Sequence, residues 1–139
     1  MVSRFCEVIP STLSAMEEVL GKVMLAAQSL PCAPGELEDI ELVLREALAN
    51  AIVHGNNSDP GKKVIVACFC ECGAEAGGGL LLVIGDEGAG FDPDGVPDPT
   101  NSQNIYAGHG RGIFLMRQLM DEVRYQNGGS EIELRKRRK

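Results

Sequence analysis

Two clusters of alternating glycines constrain this chain more than any other feature of its sequence. The run Asp86-x-Gly88-x-Gly90 directly follows an apolar segment, and the run Gly108-x-Gly110-x-Gly112 opens an amphipathic segment. Glycine costs free energy to order, so it is used where the backbone must bend or approach another group closely. The sequence therefore predicts two places where the backbone presents its N–H groups, one after a strand and one at the beginning of a helix.

The apolar periodicity predicts the order of strands and helices along the chain. The predicted elements are a strand at 3–9, helices at about 12–29 and 36–53, strands at 63–72 and 79–85, a helix at about 111–120, and strands at about 121–126 and 130–136. This order predicts one domain over residues 1–139 with an α+β fold. We expect a two-layer α/β sandwich whose mixed, mostly antiparallel sheet carries helices on one face.

The second predicted helix carries a polar pair, Glu46 and Asn50, away from its main apolar stripe. That stripe comprises Leu37, Ile40, Leu44, Leu48 and Ala51. Glu46 and Asn50 are one turn apart on the opposite side, flanked by Leu42, Val43 and Val53. We therefore expect this helix to be covered on two sides and to end at Gly55 as its C′ residue. A carboxylate in such surroundings must be paired, hydrogen-bonded or bound to a metal.

These three elements together predict a nucleotide site. The free N–H groups of the glycine runs and the positive end of a helix dipole both suit phosphate. The side-chain oxygen of Asn50 suits Mg²⁺, and Glu46 can orient or deprotonate an attacking hydroxyl. Asp86, at the end of a strand, can accept a hydrogen bond from an exocyclic amine such as that of adenine.

The same segments resemble the three boxes of the GHKL ATPases and kinases, which share the Bergerat ATP-binding fold. Residues 46–55, Glu-Ala-Leu-Ala-Asn-Ala-Ile-Val-His-Gly, resemble the N box, residues 86–91 the G1 box, and residues 108–117 the G2 box. The His-Gly ending of the N box and the run Gly-Ile-Phe-Leu-Met-Arg are similar to those of the anti-sigma-factor serine kinases of the RsbW type. The resemblance covers nearly the whole chain.

This resemblance implies an ATP-dependent serine/threonine protein kinase that acts as an anti-sigma factor. It would phosphorylate a STAS-type antagonist and sequester a sigma factor, with ATP and Mg²⁺ as cofactors. Glu46 would be the general base, Asn50 the Mg²⁺ ligand, and Asp86 the partner of the adenine amino group. The other nucleotide-binding positions would be Gly88, Gly90, Gly108, Gly110, Arg111, Gly112 and Ser130. The segment 92–109 would be a lid that orders on ATP, and dimerisation, which is frequent in the family, stays open.

Other functions stay open from the sequence alone. An ATP-gated protein-binding regulator without phosphotransfer would keep the nucleotide site, although it has no need of a carboxylate at Glu46. The ATP-binding half of a histidine kinase is disfavoured, because we expect no dimerisation helix with a phospho-acceptor His before the domain. A standalone ATPase would use water in place of the acceptor hydroxyl. His54 belongs to the family pattern without an evident role, and Arg111 either reaches phosphate or partner, or is solvated.

The composition favours an acidic protein of the reducing cytoplasm. A net charge of −7 argues against a nucleic-acid-binding surface, and no segment has the roughly 20 apolar residues of a membrane span. Five cysteines suit a reducing compartment. Cys68, Cys70 and Cys72 alternate along a strand, and we interpret them as small buried residues in preference to zinc ligands. The basic run 135–139 is interpreted as a solvated tail or, alternatively, as a docking arm for an acidic partner.

Overall fold

Five antiparallel strands form the sheet of the domain. The computed structural model describes residues 2–28, 36–71, 79–89 and 108–137. The strands are β1 (Val2–Pro10), β2 (Lys63–Glu71), β3 (Gly79–Gly85), β4 (Glu122–Gln126) and β5 (Glu131–Arg137), in the spatial order β1-β2-β3-β5-β4. The helices are α1 (Leu13–Ala27), α2 (Glu36–Ala49) and α3 (Gly108–Leu119). The predicted α+β fold is confirmed, and every strand pair is antiparallel.

The helices bury one face of this sheet. Every second side chain of β2 and β3 is buried, namely Val64, Val66, Cys68, Cys70, Leu80, Leu82 and Ile84. The helices contribute the fully buried side chains of Val19, Val23, Ile40, Leu44 and Met116. Burying one such aliphatic side chain stabilises the fold by about 1.5–3 kcal/mol. This interface therefore fixes α2 and α3 over the ends of β3 and β5, where the site lies.

The thiols of β2 behave as the alternation predicts. Cys68 and Cys70 both point to the helices, and their Sγ atoms are 3.9 Å apart. The contact with the Cys70 thiol, together with burial, raises the pKa of Cys68, so this thiol stays protonated and packs as a small apolar group. Cys72 lies outside the described residues. Within the described ranges, no three His, Cys, Asp or Glu side chains converge as metal ligands would.

Residues 135–137 of the basic run belong to β5, so they are part of the last strand and not of a tail that follows it; the docking interpretation stays a prediction. Arg135 is paired with Leu81 of β3 and Glu122 of β4, and Arg137 is paired with Gly79 of β3. Lys136 Nζ donates a hydrogen bond of 2.8 Å to the carbonyl of Leu119 at the end of α3, where a cation offsets the exposed helix carbonyls. The charged residues fit a strand because Arg135 and Arg137 pair with Glu122, while Lys136 between them bonds to α3. Residues 138–139 lie outside the described part of the chain.

Capping and turn residues define the ends of α1, β4 and β5. Thr12 caps α1, since its Oγ1 accepts a hydrogen bond of 3.3 Å from the Ala15 N–H. Asn127 and Gly128, between β4 and β5, have φ angles of 53° and 70°, as an Asn-Gly hairpin requires. Of the helices that the structure describes, none combines the length and the apolarity needed to cross a bilayer.

Candidate active site

The site is built on a π-helical turn that continues α2. The α-helix ends at Ala49, and residues Asn50–Gly55 form a π-helical turn, whereas the periodicity predicted one helix to residue 53. The N–H of Asn56 donates to the carbonyl of Ala51 at 2.9 Å, which is the five-residue step of a π-helix. The wider step presents Asn50 and His54 to one cavity. Such turns are frequent at functional sites.

A cavity of about 280 Å³ lies between this turn, α3 and the ends of β3 and β5. Its apolar lining includes Ala47, Ala51, Ile84, Met116 and Ile132, and its polar lining includes Asn50, His54, Asp86, Tyr125 and Ser130. An apolar cleft with a few placed polar groups is typical of a small-molecule site. The structure therefore brings three predicted site residues, Asn50, Asp86 and Ser130, into one cavity.

Asp86 is held directly after the end of β3 by hydrogen bonds to the backbone. Its N–H donates to the carbonyl of Ser130 at 2.9 Å, and its Oδ1 accepts from the Gly88 N–H at 2.8 Å. Burial raises the pKa of Asp86, while the Gly88 N–H and the charge of Lys62 oppose this rise. Because Oδ1 already accepts from the Gly88 N–H, Oδ2 is the carboxylate oxygen that would accept a hydrogen bond from a ligand amine.

Gly55 and Gly88 are required by close packing between the π turn and the loop after β3. A Cβ at Gly55 would lie less than 3 Å from three atoms of the Asp86 carboxylate, and a Cβ at Gly88 less than 3 Å from the Gly55 carbonyl oxygen. We expected Gly55 to end the helix in a left-handed conformation. Instead it ends the π turn and is not among the residues with positive φ. Its lack of a side chain serves the approach of Asp86.

Glu46 lies one turn before Asn50 and contacts the first part of α3. A Cβ at Gly112 would lie less than 3 Å from Oε1, Cδ and Cγ of Glu46, so this glycine is what admits the carboxylate. Glu46 is half-buried and is not one of the described residues that line the cavity.

The second side of α2 is less covered than the sequence predicted. Val43 is fully buried, but Leu42 and Val53 are 47% and 45% exposed. The cover over Glu46 comes from α3, which comes close because Gly112 has no side chain. A helical wheel cannot show this, because it depends on a residue more than 60 positions away in the sequence.

The N-terminus of α3 presents the second glycine cluster. The helix begins at Gly108, three residues before its predicted start, so Gly108, Gly110 and Gly112 all lie within it. Glycine is a poor helix former, which is why the periodicity indicated a later beginning. The first four N–H groups of a helix have no partner inside it, and with the helix dipole they suit an anion such as phosphate.

Some predicted positions lie outside what the structure describes. They are Gly90, the side chain of Arg111, and residues 92–107 of the expected lid. Their roles stay predictions.

Two residues of the site were missed by the sequence analysis. Tyr125 of β4 lines the cavity, and burial raises its pKa to about 12; alternation along β4 is the only signal for it. Asn56 is completely buried just after the π turn. It follows a His-Gly pair and resembles an ordinary residue at a helix end, so its contacts could not be foreseen.

Known proteins share this arrangement of segments. The family model of the histidine kinase-like ATPase domain matches residues 9–136. The chain is 29% identical over 131 residues to the serine-protein kinase RsbW of Bacillus subtilis (strain 168), a match that covers 86% of this chain and 78% of RsbW. It is 32% identical over 130 residues to the anti-sigma F factor of Geobacillus sp. (strain WCH70), covering 88% of this chain and 85% of that factor.

Proposed function

Because the chain belongs to the histidine kinase-like ATPase domain family, in the branch of RsbW and the anti-sigma F factors, we propose that it is an ATP-dependent serine/threonine protein kinase and an anti-sigma factor. It transfers the γ-phosphate of ATP to a Ser or Thr of a STAS-type antagonist, and it sequesters a sigma factor in the cytoplasm. The names of the relatives, a serine-protein kinase and anti-sigma F factors, support both roles.

The observation that carries the kinase proposal is the placement of Glu46. This carboxylate lies one turn from Asn50 and against Gly112, next to the N–H groups that open α3. A protein that only bound ATP would have no use for a carboxylate beside the phosphate end of the site, since it repels the nucleotide. In the proposed reaction, Glu46 accepts the proton of the attacking hydroxyl. The new O–P bond forms as the bond from the γ-phosphorus to the bridging oxygen breaks, and ADP leaves.

The residues present also fit a magnesium ion. The side chain of Asn50 lines the cavity, and an amide oxygen is a ligand that Mg²⁺ accepts while it keeps several waters and phosphate oxygens. Bound there, Mg²⁺ would neutralise charge on the β- and γ-phosphates. Asn50 would hold the ion one helical turn away from Glu46. Asp86 would hold the base at the other end of the cavity.

The test of the kinase proposal is phosphoryl transfer by Glu46→Gln. The substitution keeps the shape and removes the base, so transfer from labelled ATP to a STAS-type antagonist should fall by about 10²–10⁴-fold, with ATP affinity nearly unchanged. Glu41→Gln is the matched control. It lies on the same helix, where its partly exposed carboxylate faces Arg45, and it should transfer phosphate at the parental rate.

Three outcomes separate the candidates. Equal transfer by the parent and Glu46→Gln would show that Glu46 is not the base. ATP and sigma-factor binding without any transfer by the parent would replace the kinase with an ATP-gated binding regulator. Release of free phosphate at the same rate with and without antagonist would indicate an ATPase.

A further inference from the structure

We propose that Asn56 positions the base-binding carboxylate of Asp86, acting through Glu87, and so sets the preference of the site for a purine that carries a 6-amino group. The inference rests on the proposed role of Asp86 in binding adenine. It assigns a positioning residue that touches neither the nucleotide nor the phosphates.

Every polar atom of the Asn56 side chain has a hydrogen-bond partner. Its side chain is completely buried. Nδ2 donates hydrogen bonds to Ser11 Oγ at 2.8 Å and to the Lys63 carbonyl at 2.9 Å. Oδ1 accepts from the Glu87 N–H at 2.8 Å. Both amide protons and the amide oxygen are therefore used, and a buried polar group with every partner in place tolerates little displacement.

The hydrogen bonds of the Asn56 side chain connect different parts of the chain. They join three segments that are distant in the sequence: the end of β1 at Ser11, the beginning of β2 at Lys63, and the loop after β3 at Glu87. The Lys63 N–H donates to Glu87 Oε1 at 2.8 Å, which closes a ring between the same residues. Residue 87 is thus held through its backbone and its side chain.

The ring of Asn56, Lys63 and Glu87 is adjacent to Asp86, the residue proposed to bind the base. Glu87 stands between Asp86 and Gly88, and the Gly88 N–H holds Asp86 Oδ1 at 2.8 Å. The backbone of Asn56 also donates to Ala51 in the π turn, the segment that begins with Asn50. Asn56 therefore ties the loop that presents Asp86 to the turn that presents Asn50. Without it, the carboxylate is free to move away from the position that meets a 6-amino group.

The experiment compares affinities for ATP and for purine riboside triphosphate, which lacks the 6-amino group. Both are titrated with Mg²⁺ into the folded protein by calorimetry at low temperature. A hydrogen bond to a charged group discriminates by about 10- to 100-fold, which is the preference we expect for the parent. Asp86→Ala should abolish it, and Asn56→Ala should reduce it to less than about threefold, mainly by weakening the binding of ATP.

Ser11→Ala is the matched control for a purely structural role. It removes another partner of Asn56, at the end of β1, and leaves the bond from the Glu87 N–H to Oδ1 in place. It should lower the unfolding temperature and keep the preference for ATP. If instead Ser11→Ala and Asn56→Ala reduced the preference equally, Asn56 would be part of the general framework and the proposal would be wrong.

The remaining outcomes distinguish the inference from its premise. A preference that survives in Asp86→Ala would overturn the role of Asp86, and the inference with it. A preference lost in Asp86→Ala but kept in Asn56→Ala would overturn the inference alone. If Asn56→Ala does not fold, Glu87→Pro decides, because proline has no N–H for Asn56 Oδ1 to accept, while both donor bonds of Asn56 stay in place. An undiminished preference in that variant would contradict the proposal.

Discussion

We expect Gly112→Ala to lower the rate of phosphoryl transfer strongly while changing the free energy of unfolding very little. The new methyl group would lie less than 3 Å from Oε1, Cδ and Cγ of Glu46, so the carboxylate must turn away. Forcing a side chain off its rotamer costs about 0.5–1.5 kcal/mol, and replacing a glycine in a helix by alanine returns up to about 1 kcal/mol. The two terms nearly cancel, so the free energy of unfolding should change by less than about 1 kcal/mol.

The effect on the reaction should be much larger. Loss of a positioned base lowers the rate by about 10²–10⁴-fold, which corresponds to about 3–5 kcal/mol of barrier at 1.36 kcal/mol per decade. The assays are thermal unfolding without nucleotide and phosphoryl transfer to a STAS-type antagonist. Gly21→Ala is the control, since a Cβ at this position of α1 meets nothing within 4 Å. It should raise the unfolding temperature slightly and leave transfer unchanged.

A double variant tests whether the two residues act through one contact. If Gly112→Ala works by displacing Glu46, then adding it to Glu46→Gln should slow transfer little further, because the base is already lost. Multiplied losses would mean that the methyl group damages something else. Normal transfer by a folded Gly112→Ala protein would refute the reasoning altogether.

Three further predictions follow from the geometry of the site. Gly88→Ala should abolish the stabilisation by Mg-ATP, because its methyl group would meet a backbone carbonyl oxygen at less than 3 Å; an unchanged nucleotide-induced rise in unfolding temperature would contradict this. Asp86→Asn should stabilise the nucleotide-free protein at pH 7 while weakening ATP binding by about 10- to 100-fold. Burial raises the pKa of Asp86 above its ordinary 3.8, so stability is lost as the pH rises through that pKa, and the gain from Asn should vanish near pH 3; a gain that persists there would refute the cause. Labelling of native protein with a thiol reagent, read residue by residue by mass spectrometry, should modify the exposed Cys6 and spare Cys68 and Cys70; rapid labelling of the two buried thiols would show that β2 opens.

The sequence was informative wherever a property repeats locally. Alternation along β2 predicted that Cys68 and Cys70 lie buried on one face, and the apolar periodicity predicted the two closing strands β4 and β5. The spacing of Glu46 and Asn50 predicted two side chains one helical turn apart, because a regular helix carries that information in four residues. The glycine clusters predicted two places of close approach, since Gly88 lies against Gly55 and Gly112 against Glu46.

What the sequence could not show are contacts between distant segments. In the sequence, Gly55 resembles a residue that ends a helix. The structure shows instead that a glycine is required there by the close approach of Asp86, which is 31 positions away by their numbering. The π turn could not be foreseen either, since nothing in residues 50–55 announces a five-residue hydrogen-bond step. Asn56 has no local signal at all, because its partners come from three separate segments.

The position of β5 has a consequence for how the protein is made. This strand is synthesised after the other four strands that the structure describes, yet it lies between β3 and β4. Its first residues Glu131 and Ile132, with the preceding Ser130, complete the cavity wall. A nascent chain halted before residue 130 would leave one edge of β3 bare and would lack a side of the nucleotide cleft. Protein synthesis proceeds from the N-terminus, so the cavity, and with it the proposed ATP site, is complete only after this strand has been made. Binding of the nucleotide would thus distinguish a complete domain from a truncated one. Truncated chains would expose an unpaired strand edge, which can pair with other chains.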